Sequence, residues 1–120
     1  MDSPSEPGLD DPFEKAIDDA VDSLPAELRA ALSNLEIVVE EEPPDGRPLL
    51  GLYQGVPLPR RNSMYGGVLP DKISIYRVPI TRLAHGDADR LYRAVKHVVL
   101  HEIAHHFGIS DERLIEIDRY

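Results

Sequence analysis

The sequence predicts one small α+β domain, with a single sheet layer and a few helices around one hydrophobic core. The chain has 120 residues, which is enough for one modest core. Apolar residues follow helical spacing near both ends, and three short strand-like runs lie between them. We therefore divide the chain into an acidic tail at residues 1–10, expected to be disordered, and one domain at residues 11–120.

The domain is predicted to begin with two helices. Asp11 suits an N-cap and Pro12 suits the first helical turn, and the apolar residues that follow recur every three or four positions. We expect this helix to end at Leu24, because Pro25 follows, and a second short helix to cover residues 26–32.

Three strands are predicted in the middle of the chain, at residues 35–40, 49–56 and 73–78. Proline and glycine predict a turn at residues 43–46 and a loop over residues 60–71. Pro79 is expected to stop the third strand.

A long helix is predicted at residues 88–107, with Asp87 as its N-cap and Gly108 just past its end. The break before it lies at His85 and Gly86, and a short helix over residues 111–118 is expected to follow it. An apolar stripe runs along the long helix, made of Leu91, Tyr92, Val95, Val98 and Val99.

The net charge of −9 is concentrated in the first half of the chain. Residues 1–46 hold 14 acidic and two basic side chains, whereas residues 47–120 hold eight acidic and eleven basic ones. This balance argues against nucleic acid as the main partner. Cysteine is absent, which excludes thiolate metal sites, and no membrane span or signal peptide is evident. We expect a cytoplasmic protein without a membrane partner.

The long helix carries the sequence His101-Glu102-Ile103-Ala104-His105. Because each helical residue turns by about 100°, His101 and His105 share one face and can reach one metal ion. Glu102 falls within the apolar stripe, where it can act as a general base on a water molecule. The alternative is an ordinary amphipathic helix with solvated histidines.

A third ligand is expected just beyond the helix. Gly108 can adopt the left-handed conformation that ends a helix, so the chain can turn back and bring Asp111 to the metal. Two imidazoles and a carboxylate form a typical catalytic zinc set. Asp111 can instead be only a helix cap, and Glu112 and Glu116 are then the substitutes.

The string from His101 to Asp111 resembles the H-E-x-x-H-x-x-G-x-x-D signature of the minimal zincin-like metallopeptidases, a family of short bacterial chains first catalogued as a domain of unknown function. Residues 52–58, 69–77 and 111–114 resemble the family's other segments, and the resemblance spans roughly residues 13–119. It implies a short mixed sheet packed on an active-site helix, with Zn²⁺ on His101, His105 and Asp111, and with Glu102 as the base. It also implies a cleft beneath residues 73–78.

The sequence leaves several roles open. Tyr53, Tyr65 and Tyr76 are each candidates to stabilise an oxyanion. His106 is expected to be a packing or surface residue, with a role behind the metal ligands as the alternative. His85 and His97 are expected to be solvated.

The predicted function is hydrolysis of peptide bonds in peptides or unfolded segments. A zinc protein without peptidase activity, either another hydrolase or a binding module, is the alternative, and a metal-free interaction module is a third possibility. Main-chain atoms of the strand at residues 73–78 are expected to bind the substrate, if this is an edge strand. That assigns substrate binding to Ile73, Ser74, Ile75, Tyr76 and Arg77.

The Asp111→Ala variant should lose most of its zinc affinity, because the ion would keep only two protein ligands. Metal analysis and calorimetric titration of the purified variant measure this loss. A variant that keeps the zinc content and affinity of the parent would identify Asp111 as a helix cap, and Glu116→Ala would be tested next.

Overall fold

The structure is a computed structural model that describes residues 11–55 and 71–109. Helices α1 (Pro12–Asp22) and α2 (Ala26–Ala30) come first in the chain. Strands β1 (Leu35–Glu40), β2 (Gly51–Gln54) and β3 (Asp71–Tyr76) follow, and helices α3 (Arg77–Ala84) and α4 (Ala88–His106) come after them. The protein has the α+β fold that the sequence predicts. The predicted tail at residues 1–10, the loop up to residue 70 and the helix at residues 111–118 lie outside the described residues.

The caps of α1 and α4 are the predicted ones. The side chain of Asp11 accepts a hydrogen bond from the backbone N–H of Phe13 at 2.9 Å, and that of Asp87 accepts one from Asp89 at the same distance. Each bond satisfies a backbone donor that lacks a partner inside the helix. Helix α2 is shorter than predicted, and it ends at Ala30.

The three strands form a mixed sheet in the order β1-β3-β2. Strand β3 pairs in parallel with β1 and antiparallel with β2. It is therefore the central strand, and β1 and β2 are the edges of the sheet in the described part of the chain.

The prediction that residues 73–78 form an edge strand is wrong. The main-chain groups of β3 are used by neighbours on both sides, and Ile73, Ser74, Ile75 and Tyr76 are each at most 1% exposed. A strand that is buried on both faces carries a nearly continuous apolar run, as β3 does. The edge prediction relied on the order of the strand in the chain, which does not decide its place in a sheet. An extended peptide cannot add to β3 as another strand.

Pro79 was expected to stop a strand, but it lies in the first turn of α3, a helix that the sequence prediction missed. The strand ends two residues before the predicted limit, at Tyr76, and α3 begins at Arg77. Proline is tolerated there because the first N–H groups of a helix have no partner within it. His85 ends α3 in the left-handed conformation, with φ 51° and ψ 39°, which matches the predicted break.

Arg77 links three parts of the fold. Its guanidinium pairs with Asp11 at 3.1 Å and with Glu41 at 3.2 Å, and it lies 4.7 Å from the centre of the Phe13 ring. Burial acts to raise the pKa of Asp11, but the hydrogen bonds from Arg77 and from the backbone of Phe13 outweigh it and lower that pKa overall. Arg77 therefore joins the start of α1 to the segment after β1. The sequence predicted that Arg77 would contact the substrate instead.

One hydrophobic core joins α1, the sheet and α4. Its buried residues are Phe13, Ala16, Ile17, Ala20, Ile73, Ile75, Ile80, Val95, Val98, Val99 and Ile103. Burying one valine or isoleucine side chain contributes about 1.5–3 kcal/mol, so the four such residues on α4 fix which face of that helix points inward. Tyr92 adds a hydrogen bond to Asp19 at 2.5 Å, which connects α4 to α1.

None of the helices in the described residues is long and apolar enough to cross a membrane. The expected cytoplasmic location stays a prediction.

Candidate metal centre

Helix α4 carries two of the three predicted metal ligands, His101 and His105, together with the predicted base Glu102. Val95, Val98, Val99 and Ile103 are buried on this helix, and they hold it against the sheet and α1. Glu102 falls within the same buried face and is only 8% exposed. His101 and His105 are half-buried at the border of that face, as the helical spacing predicts.

The two imidazoles face each other. Nε2 of His101 lies 3.2 Å from Nε2 of His105. Two nitrogens bound to one tetrahedral zinc ion at roughly 2.0–2.1 Å lie about 3.3 Å apart, so this separation fits a shared ion. Without a metal, the same distance lets one imidazole donate a hydrogen bond to the other.

Glu102 completes the cluster. The metal-binding atoms of His101, Glu102 and His105 all lie within 4.8 Å of one another. Imidazole nitrogen and carboxylate oxygen are both zinc ligands, so the donor set fits this ion. With one carboxylate close to both imidazoles, the group can bind a metal and also accept a proton beside it.

Strand β2 approaches α4 closely at this cluster, and Gly51 makes the approach possible. A Cβ atom at Gly51 would lie 2.6 Å from Cγ1 of Val98 and 3.4 Å from Cγ of Glu102. Real side chains do not approach within 2.6 Å, so any larger residue would push β2 away from the helix. The absence of a side chain at residue 51 therefore sets the distance between the sheet and Glu102.

A cavity of about 280 Å³ opens beside the cluster. One wall is the segment that leads into β2, and the other is the part of α4 that carries the histidines. The lining residues are Pro48, Leu49, Leu50, Gly51, His97, Val98, His101 and Glu102. The wall opposite the helix is thus apolar, and Glu102 and His101 lie at the polar side.

The remaining predicted site residues have different outcomes. Asp111, its substitutes Glu112 and Glu116, and Tyr65 lie outside the described residues, so the third ligand stays a prediction. Tyr76 is 1% exposed, and because side chains alternate along a strand, it lies on the opposite face of β3 from Asp71.

Tyr53 is engaged elsewhere, in a buried polar group behind the cluster that the sequence did not predict. Its hydroxyl donates a hydrogen bond to Oδ2 of Asp71 at 2.5 Å, and Nδ1 of His106 lies 2.9 Å from the same oxygen. Asp71 was assigned to a loop, but it is the first residue of β3 and shares a face with Ile73 and Ile75. The alternation of Asp71 with Ile73 and Ile75 could have shown that Asp71 belongs to the strand. Pro70, directly before it, favoured a loop instead.

A family model described as a zincin-like metallopeptidase matches residues 32–120 of the chain. The match includes all three strands, helices α3 and α4, and the His101–Glu102–His105 cluster. No curated protein matches the chain.

The variants His101→Ala and His105→Ala should each lose zinc affinity by more than roughly a hundredfold. Changes to residues that only support a ligand typically cost 10–100-fold, and these variants remove a ligand itself. Calorimetric titration with zinc measures the loss.

His97→Ala is the matched control, because His97 lies one turn earlier on the same helix and is exposed, with its ring 6.3 Å from that of His101. It should bind zinc as tightly as the parent. Equal zinc loss in His97→Ala, or retained affinity in His101→Ala, would contradict the assignment.

Proposed function

The chain belongs to the zincin-like metallopeptidase family, and from that premise we propose that it is a zinc-dependent peptidase. It hydrolyses peptide bonds in peptides or unfolded protein segments. His101 and His105 hold the metal ion, Glu102 is the general base, and Asp111 is the third ligand.

The observation that carries this proposal is the position of Glu102. A carboxylate that is 8% exposed lies against two imidazoles whose Nε2 atoms are 3.2 Å apart. Burying a charged group is costly unless a cation or hydrogen-bond donors compensate it. A purely structural zinc site needs only ligands and is usually closed by four of them, so a buried carboxylate between two ligands favours catalysis.

When bound, zinc polarises a carbonyl group and makes a nearby water molecule more acidic. Glu102 accepts a proton from the attacking water as the water oxygen forms a bond to the carbonyl carbon of the substrate. Glu102 then delivers the proton to the amide nitrogen as the carbon–nitrogen bond breaks. The products are a carboxylic acid and an amine, and Glu102 returns to its starting state.

For substrate binding we propose strand β2 in place of β3. Among the described residues, β2 is an edge of the sheet. The backbone N–H of Tyr76 donates to the carbonyl of Leu50, so Leu50 faces β3, and the main-chain groups of Gly51 point the other way. Gly51 also lies beside Glu102. A peptide that pairs with this edge would run along the metal cluster.

The adjoining cavity suggests which side chain the substrate presents. Its wall before β2 is formed by Pro48, Leu49 and Leu50. A volume of about 280 Å³ accommodates one medium-sized or large side chain. We propose that the peptide places an apolar residue there, next to the bond that is cleaved, while its main chain pairs with Gly51.

The Glu102→Gln variant should keep its zinc and lose nearly all cleavage of a peptide library, because glutamine has a similar shape but cannot accept the proton. General-base catalysis typically contributes about 10²–10⁴-fold in rate, so kcat should decrease by a factor in that range. Metal analysis and mass spectrometry of the cleavage products provide the two measurements.

Two results would contradict this proposal. If Glu102→Gln cleaves as fast as the parent, Glu102 is not the base. If the parent binds zinc but cleaves no peptide, the chain is a zinc-binding protein of another kind.

Amide exchange in the presence of a peptide hydroxamate should protect the N–H of Gly51, because a bound peptide would pair with the side of β2 that faces away from β3. The amides of Ile73 and Ile75 should be slow to exchange with or without the inhibitor, since β3 is central. Unchanged exchange at Gly51, with inhibition confirmed in the same sample, would exclude pairing at this edge.

A further inference from the structure

Behind the metal cluster, three polar side chains from separate segments meet in the core. Asp71 begins β3 and is 0% exposed, and His106, the last residue of α4, is 1% exposed. Tyr53 in β2 donates its hydroxyl hydrogen to Oδ2 of Asp71 at 2.5 Å. Nδ1 of His106 lies 2.9 Å from the same oxygen and 3.3 Å from the hydroxyl of Tyr53. We call these three residues the anchor network.

The Asp71 carboxyl group is the acceptor at the centre of the anchor network. With Asp71 as a carboxylate, its oxygen only accepts, so Nδ1 of His106 carries the hydrogen that it donates. One oxygen atom, Oδ2 of Asp71, thus accepts two hydrogen bonds, one from the end of α4 and one from β2. Rotation of the His106 ring would break its bond, so the network fixes that ring relative to both strands.

Gly55 keeps the carboxylate in place from the other side. A Cβ atom at Gly55 would lie 2.4 Å from Cγ of Asp71, so only glycine allows the chain after β2 to pass this close. The carboxylate is therefore enclosed by β2, by the residue that follows it and by α4. It has little room to move without displacing one of them.

The anchor network lies in the same helical turn as the second metal-binding imidazole. His105 directly precedes His106, and α4 ends there, with Gly108 N–H bonded to the carbonyl of His105 at 2.9 Å. The last turn of a helix frays readily, because its carbonyl groups lack partners within the helix. At this end of α4, holding His106 also holds the backbone from which His105 projects.

Stability alone does not account for this arrangement. A buried polar network is often no more stabilising than apolar residues of the same volume, because its groups lose their hydration. Ile73 on β3 and Ile103 on α4, close to Asp71 and His106 in the chain, both belong to the apolar core. A polar anchor in such surroundings provides a fixed orientation that apolar packing does not impose.

We propose that the anchor network is a positioning device for the metal centre, and that Asp71, His106 and Tyr53 act as positioning residues. They set the direction of the His105 imidazole toward the ion that it shares with His101. The inference rests on the proposed function for the identity of the metal site, but its main test does not require cleavage.

The decisive variant is Tyr53→Phe, which removes one hydroxyl group and keeps the ring. We expect a roughly tenfold loss of zinc affinity, at the lower end of the 10–100-fold range for residues that orient a ligand. The visible absorption spectrum of the cobalt-substituted protein should change, because it depends on the angles between the ligands. In peptide cleavage, kcat should fall while KM stays near the parent value.

Tyr92→Phe is the matched control. Tyr92 also donates its hydroxyl hydrogen to an aspartate at 2.5 Å, but that partner is Asp19 on α1. This variant should keep the zinc affinity and the cobalt spectrum of the parent, even if its thermal midpoint falls. Asp71→Asn provides a second test, since it keeps the volume and weakens both bonds.

The outcomes separate the two proposals. If Tyr53→Phe and Asp71→Asn lower only the thermal midpoint and leave zinc affinity and the cobalt spectrum unchanged, the network is structural and the inference fails. If the parent binds metal without cleaving peptides, the proposed function fails, while the metal measurements still decide the role of the network. A parent protein that binds neither zinc nor cobalt overturns both.

Discussion

The presence of a carboxylate on the inner face of α4 is the constraint on which the rest of the structure depends. Glu102 is 8% exposed, and it lies between Val98 and Ile103 on a face that otherwise packs into the core. A carboxylate in such a place is costly unless a cation or hydrogen-bond donors lie next to it. The two imidazoles one turn apart can hold a cation. That cation would offset the cost of burying Glu102 at the place where the proposed chemistry occurs.

This constraint determines how the sheet meets the helix. A larger residue at position 51 would meet Val98 and the side chain of Glu102, so β2 would have to move away from α4. Gly51 removes the side chain at the point of contact, and β2 comes close enough for a Cβ atom to clash with Val98. The carboxylate is thereby enclosed by backbone on one side, while the cavity before β2 leaves it accessible from the other. An enclosed and accessible carboxylate is what a general base requires.

The sequence predicts local features of this fold well and its non-local features poorly. The caps at Asp11 and Asp87 and the spacing of His101 and His105 all follow from residues within one or two helical turns, and the structure has each of them. The order of the strands does not follow in this way, because alternation along β3 shows which residues share a face and not which strand lies beside it.

The same limit explains why the partners of His106 were missed. The contacts of His106 join residues separated by 35 and 53 positions in the chain, so no short motif could reveal them. Pro79 misled for a different reason. In the sequence, a proline in the first turn of a helix cannot be distinguished from a proline that ends a strand. The distinction needs the start of the helix, which lies at Arg77.

The central position of β3 connects these features. Because β1 and β2 pair with it on both sides, β3 cannot offer its backbone to a substrate, but it can hold a buried side chain without moving. Asp71 benefits from this rigidity, since a carboxylate at the start of an edge strand would shift whenever the strand paired with something new. Under the proposed function, the edge strand β2 has the opposite requirement, because it would accept a peptide while Tyr53 stays bonded to Asp71. In the described part of the chain, a central strand paired on both sides and an edge strand next to α4 would meet both requirements with three strands.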